Sequence, residues 1–228
     1  MIFCLFHCLY FIESSNDRKY LHKAMNTKEF IRLNRYRFII ILERLRGVDF
    51  TKQLDNQQTN VNKADGVYFS SSAYFPELKK VLTELNITDQ DSILDYGSGK
   101  GASLLLFRKY AFGKIGGVEL SSVLLEIARK NFKRLKVHDL HMYHANGRYF
   151  QDLDQFNHFY FYNPFPCEVM DAVLNNIQAS IEREPRRVKL IYCNPKCHEL
   201  IVKSGYFHEL QRYEGQVDWG NIVVYQSE

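Results

Sequence analysis

The sequence predicts an α/β fold on a mainly parallel sheet, and three observations carry that expectation. From Ser92 to Asn194, short apolar strands alternate with amphipathic helical segments, the pattern of βαβ units with helices on both faces. The first strand of that series runs into a glycine cluster, "DYGSGKG", at the place where open α/β sheets bind their ligands. The last two strand-like runs, "YFHELQRYE" and "NIVVYQ", have no helix between them and predict an antiparallel hairpin at one edge.

Taken in order, the chain begins with "MIFCLFHCLYFI", apolar in eleven of its twelve residues. It is short of the ~20 residues a membrane-spanning helix needs and lacks the basic start and small-residue cleavage site of a signal peptide. It reads as a packed extension, or as lying upstream of a start near Met25. Asn26 with Glu29 forms a capping-box pattern, which predicts a helix over 27–46. Residues 47–66 are polar and read as a loop or linker. The expected organisation is a helical extension and linker over 1–66 and a second domain over 67–228. In "YFPELKKVLTELNI", Leu78, Val81, Leu82 and Leu85 recur at helical spacing. Seven strands follow: "SILDY", "IGGVEL", "LHMYHA", "HFYFYN", "VKLIYCN" and the two of the hairpin. Helices are expected at "SLLLFRKYA", "SVLLEIARKNFKRL", "EVMDAVLNNIQASI" and "KCHELIVKSG".

Bulk properties exclude little. The 228 residues, 46% hydrophobic, suit an α/β domain with a sizeable core. A net charge of +4 permits a nucleic-acid or acidic partner without calling for one. Five cysteines at uneven spacing argue against a disulfide framework and for a reducing, cytoplasmic setting. Cys193, Cys197 and His198 lack finger or ribbon spacing and read as strand-end residues, not a metal site. His138, His141 and His144 recur every three residues, which suits ligands on neither a strand nor a helix. The basic run "RKNFKRLK" reads as a solvated helix face.

The glycines Gly97, Gly99 and Gly101 allow a tight turn and a close backbone approach to a ligand. Their G-x-G-x-G spacing is not the dinucleotide G-x-G-x-x-G, and Lys100 is misplaced for a P-loop. Two acids flank them. Asp95 ends the first strand, and Glu119 ends the second, placed to accept hydrogen bonds from ribose hydroxyls. Carboxylates beside the turn disfavour a pyrophosphate and favour a cation. The expected ligand is a positively charged nucleoside.

"ILDYGSGKG" with "GGVEL" resembles motifs I and II of class I S-adenosylmethionine-dependent methyltransferases, and the resemblance extends from about Tyr68 to Tyr225. It implies the Rossmann-like class I methyltransferase fold, S-adenosyl-L-methionine as cofactor, and cofactor contacts from Asp95, Gly97, Ser98, Gly99, Gly101 and Glu119. "YHANGRYF" sits at motif III, which places Asn146 against the adenine. "FYFYNPFP" sits at motif IV, and "YNPF" followed by "IYCNP" resembles a small bacterial-type subgroup. "GVYFSSSAYF" is similar to the segment before motif I, where Tyr68 and Ser71 or Ser72 would lie over the methionine end. The same resemblance makes Asn163 the catalytic residue nearest the transferred methyl, its amide accepting from a target NH₂. Pro164 and Phe165 would contact substrate, Phe165 by stacking, although one proline fewer than N-P-P-[YF] leaves its register open. Proline after Asn163 biases that residue toward an extended backbone.

Methyl transfer needs positioning more than acid–base help, so no strong catalytic-base motif is expected. An active methyltransferase with an unidentified acceptor is the first reading. A non-catalytic methyltransferase-fold binding module is the alternative, and an intact glycine turn and ribose acid speak against it. The glycine spacing disfavours a nicotinamide oxidoreductase.

Overall fold

The computed structural model describes residues 27–54, 56–61, 76–215 and 220–228. The expectations for the apolar N-terminus and for Tyr68, Ser71 and Ser72 fall outside them. The chain divides into two compact units, Met1–Leu42 and Glu43–Glu228. Helix α1 (Thr27–Arg46) runs across that division, and everything below concerns the second unit. There, α2 (Asn56–Thr59) and α3 (Pro76–Glu84) precede β1 (Ser92–Tyr96), α4 (Ala102–Phe107), β2 (Lys114–Glu119), α5 (Ser122–Leu135) and β3 (His141–His144). A 3₁₀ turn (Gly147–Tyr149) leads to β4 (His158–Tyr162), α6 (Cys167–Arg183), β5 (Lys189–Cys193), α7 (His198–Lys203), β6 (Phe207–Tyr213) and β7 (Ile222–Ser227).

The seven strands form one sheet in the order β3-β2-β1-β4-β5-β7-β6. Strands β1 to β5 pair in parallel, and β7 lies antiparallel between β5 and β6. The expected hairpin is therefore present, with its second strand on the inside. Strand order reverses between β1 and β4, and a crevice opens at such a switch point beyond the carboxyl ends of the strands.

Strand alternation divides the core into two faces. Leu94, Tyr96, Phe159, Phe161, Leu190 and Tyr192 join one cluster with Val169, Met170, Val173 and Ile177 of α6 and Ile201 of α7. Ile93, Tyr160, Ile191 and Cys193 point the other way, onto Leu78 and Leu82 of α3, Leu104 and Phe107 of α4, and Phe132 of α5. With both faces covered, β1 is buried along its whole length, as the near-continuous apolar runs require. Helix α5 shows how local chemistry sets the bounds. The Ser121 side chain accepts from Leu124 N, and Lys136 closes the helix in the left-handed region at φ 55°.

One expectation needs correction. A disulfide joins Cys167 to Cys197, with Cα atoms 5.4 Å apart. The odd, uneven cysteine spacing hid it, because the pair is 30 residues apart in sequence and meets only when α6 and α7 start side by side. Within residues 47–54, Asp49 makes ordered hydrogen bonds to Asn131 of α5. No helix among the described residues is long and apolar enough to cross a membrane.

Candidate active site

The turn between β1 and α4 is left-handed at Gly97, Gly99 and Gly101, with φ of 77°, 54° and 83°. Only glycine adopts such values without strain. Close packing adds a second demand at two of them. A Cβ on Gly101 would lie 2.2 Å from the Phe132 ring, and one on Gly97 would lie 2.9 Å from Cβ of Pro164. The turn thus rests on α5 at one end and against the β4 loop at the other.

Asp95 and Glu119 belong to neighbouring strands paired Asp95↔Gly117 and are 2% and 5% exposed. Ser103 Oγ donates to Asp95 Oδ2. Glu119 accepts from Gly99 N at 2.8 Å and from Ser121 N at 2.7 Å, which leaves lone pairs on both oxygens. Burial, with the charge of Glu119 adding to it, pushes the Asp95 carboxyl up to about 7. Burial also raises Glu119, while the amides of Ser121 and Gly99 hold it back. A cation beside these two acids would relieve the cost of ionising them. The hydroxyls of Ser98, in the turn, and of Tyr96, at the end of β1, are buried with no hydrogen bond among the described residues, so Ser98 gives the turn a polar group open to a ligand. These features fit S-adenosyl-L-methionine.

Asn146 follows β3, with Ala145 N donating to Glu119 O at 3.1 Å. Its side chain caps the 3₁₀ turn by accepting from Arg148 N. The structure thus brings Asp95, Gly97, Ser98, Gly99, Glu119 and Asn146 to the carboxyl ends of β1, β2 and β3, with Gly101 opening α4.

At the end of β4, Asn163 is left-handed at φ 38°, not extended as its proline neighbour suggested. Its Oδ1 accepts from Tyr192 OH at 3.2 Å, so β5 helps hold the carboxamide. Phe165 differs from expectation too. It is 7% exposed and packs edge-on to Tyr96 and Phe161, with centroids 6.2 and 6.3 Å apart. A ring held in that cluster offers no open face for stacking. Pro164 stands against Gly97.

The sequence reading passed over Lys100. It is 4% exposed, and its Nζ donates to Asp49 Oδ1 at 2.7 Å and to Lys52 O at 2.6 Å. Asn131 completes the latch, accepting from Asp49 N and donating to Asp49 O, while Ser121 Oγ donates to Thr59 O. Three residues in or beside the glycine turn therefore hold Asp49, Lys52 and Thr59. The only sequence signal was a lysine where a phosphate loop would not want it. Lys100→Met keeps the alkyl stem and removes the charged donor. It is expected to cost about 1–3 kcal/mol in urea unfolding, discounted because Asp49 is a third exposed, and to weaken S-adenosylhomocysteine binding measurably by calorimetry.

The raised Asp95 carboxyl has a pH signature. An unfolded aspartate ionises near 4, so burial favours the folded chain below that and the advantage is lost as pH rises through about 7. A cationic ligand favours the ionised carboxylate. Affinity for S-adenosylmethionine is therefore expected to rise several-fold from pH 6 to 8, and Asp95→Asn to flatten that rise. The ligand's own amino group titrates equally in both titrations, so the difference between the two slopes reports Asp95.

No curated protein sequence matches the chain. Among solved structures it resembles a protein of Pyrococcus horikoshii OT3, with a TM-score of 0.52 and 14% identity over 66% of this chain and 88% of that one. The ribosomal protein L11 methylase of Lactobacillus delbrueckii subsp. bulgaricus gives 0.51 and 13%, over 77% and 81%. MtNAS, solved with MTA and tNA, gives 0.53 and 18%, over 67% and 59%. At these identities the likeness is one of fold. The protein-L-isoaspartate(D-aspartate) O-methyltransferase model matches residues 39–162, more than half of the chain and all of the glycine turn, and it is to this methyltransferase family that the chain belongs.

Proposed function

We propose that the chain transfers a methyl group from S-adenosyl-L-methionine to an oxygen nucleophile, of the carboxylate kind for which the family is named. When bound, the cofactor supplies a methyl group activated on a sulfonium. Asp95, Gly97, Ser98, Gly99, Gly101, Glu119 and Asn146 would hold it, with Tyr68 and Ser72 as further candidates from the sequence. The observation that carries the acceptor reading is the bond from Tyr192 OH to Asn163 Oδ1. That bond takes one of the two lone pairs on Oδ1 and neither NH₂ donor, so the amide keeps two donors against one remaining acceptor site. Those donors suit an acceptor oxygen, while a target NH₂, as first expected, would share the carbonyl with Tyr192. Asn163 would orient that oxygen, and its left-handed backbone is of the kind found where strain serves a site. The rim from Asn163 onward lies beyond the matched residues, so the acceptor's identity is part of the proposal.

The test is methylation of an isoaspartyl peptide with labelled cofactor. Asn163→Gly leaves the backbone free to keep its positive φ. It is expected to lower turnover tenfold or more, in order of magnitude, since misplacing reacting atoms by about 1 Å is that costly. Affinity for S-adenosylhomocysteine is expected to move much less. Equal falls in both, or a melting temperature low enough to explain the loss, would make Asn163 a structural residue.

A further inference from the structure

Two loops of the same design leave the sheet side by side. Tyr162 and Cys193 are register partners at the ends of the parallel strands β4 and β5. The next residues, Asn163 and Asn194, are both left-handed, at φ 38° and 52°, and both precede proline. Each loop then reaches a cysteine at the start of a helix. Cys167 is the first residue of α6 and Cys197 caps α7. The disulfide joins these two points, so the paired Asn-Pro turns are closed by strand pairing below and a covalent bond above.

The two halves of that bond differ. Cys197 is 2% exposed, whereas Cys167 is exposed and begins a 17-residue helix. A thiolate at a helix N-terminus is stabilised by the helix dipole, and accessible disulfides are the ones that exchange readily. Two αL asparagines before proline also make a strained backbone that the surroundings must hold in place, and the bond supplies one of those restraints.

We propose that Cys167 and Cys197 are a reversible dithiol–disulfide pair that locks the Asn163 and Asn194 turns when oxidised and loosens them when reduced. Naming those turns the acceptor rim rests on the function proposed above; the redox pair itself does not. In the locking direction, the Cys167 thiolate attacks a low-molecular-weight disulfide such as glutathione disulfide and releases one glutathione thiolate. The Cys197 thiolate then attacks the Cys167 sulfur and expels the second. Two electrons pass from the pair to the oxidant, and the two thiol protons end on two glutathione molecules.

The full chain would be equilibrated in glutathione buffers of varied reduced-to-oxidised ratio, trapped by alkylation and mapped by mass spectrometry. Hydrogen exchange would be measured on the fully oxidised and fully reduced forms. The expected results are a Cys167–Cys197 linkage that appears and disappears with the ratio, and exchange at least fivefold faster on reduction in peptides covering 163–167 and 194–197. Cys167→Ser, at an exposed position, is expected to exchange like the reduced form at every ratio. A linkage that never forms, one that no excess of glutathione reduces, or equal exchange in the two forms would each overturn the proposal. S-adenosylhomocysteine titration of both forms reads the cofactor site separately. Unchanged affinity is expected, and failure to bind in either form would count against the proposed function, not against the redox pair.

Discussion

Gly99→Val is expected to abolish S-adenosylhomocysteine binding while leaving the domain folded. Gly99 holds φ 54° between two other left-handed glycines, and a β-branched residue is a genuine outlier there. The chain can relieve that strain by moving the turn, because the turn lies at the carboxyl end of β1 while the core clusters lie along the strands. Moving it withdraws Gly99 N from Glu119 and displaces the backbone a ligand would meet. Circular dichroism and calorimetry together read the result. A folded Gly99→Val protein with unchanged affinity would place the cofactor elsewhere.

Glu119→Ala is expected to weaken S-adenosylhomocysteine binding by about 1.5–3 kcal/mol, the range for hydrogen bonds to a charged group. That corresponds to roughly ten- to a hundredfold in Kd. The alanine also strands the amides of Gly99 and Ser121, so some loss of thermal stability accompanies it. Glu119→Gln removes the charge but keeps an acceptor for only one of the two amides, which bond to different oxygens of the carboxylate, so its melting temperature has to be read beside its affinity. Free methionine has no ribose, and its weak binding is expected to be nearly unaffected. If calorimetry showed no loss for either variant, Glu119 would be a structural acid that orders the glycine turn and nothing more.

Wherever one short-range rule governed, the chain could be read directly. Helix α5 was legible because the apolar spacing of Leu124, Leu125, Ala128 and Phe132 lies on one face. The β1 turn was legible because three glycines in five residues have few other uses. What escaped the reading depends on neighbours far apart in sequence. Lys100 and Asp49 are 51 residues apart, and the two cysteines lie on separate βα units. Phe165 was assigned to substrate by analogy, but the aromatic floor of Tyr96 and Phe161 claims it. At Asn163 a local rule misled. Proline opposes any helical backbone in the residue before it, and the tertiary setting, with Tyr192 holding the side chain, overrides that preference.

The missing Cβ of Gly97 means that the glycine turn and the β4 loop share one steric boundary, because any side chain there meets the rigid ring of Pro164. Substitutions on the two sides of such a boundary do not add independently. A lineage acquiring a new acceptor through the loop after β4 would have to vary it around a fixed glycine and the proline pressed against it. Lys196, on the loop after β5, is exposed and takes no part in that contact. On the acceptor rim proposed above, a library meant to change acceptor choice is therefore expected to gain more from Lys196 than from Pro164.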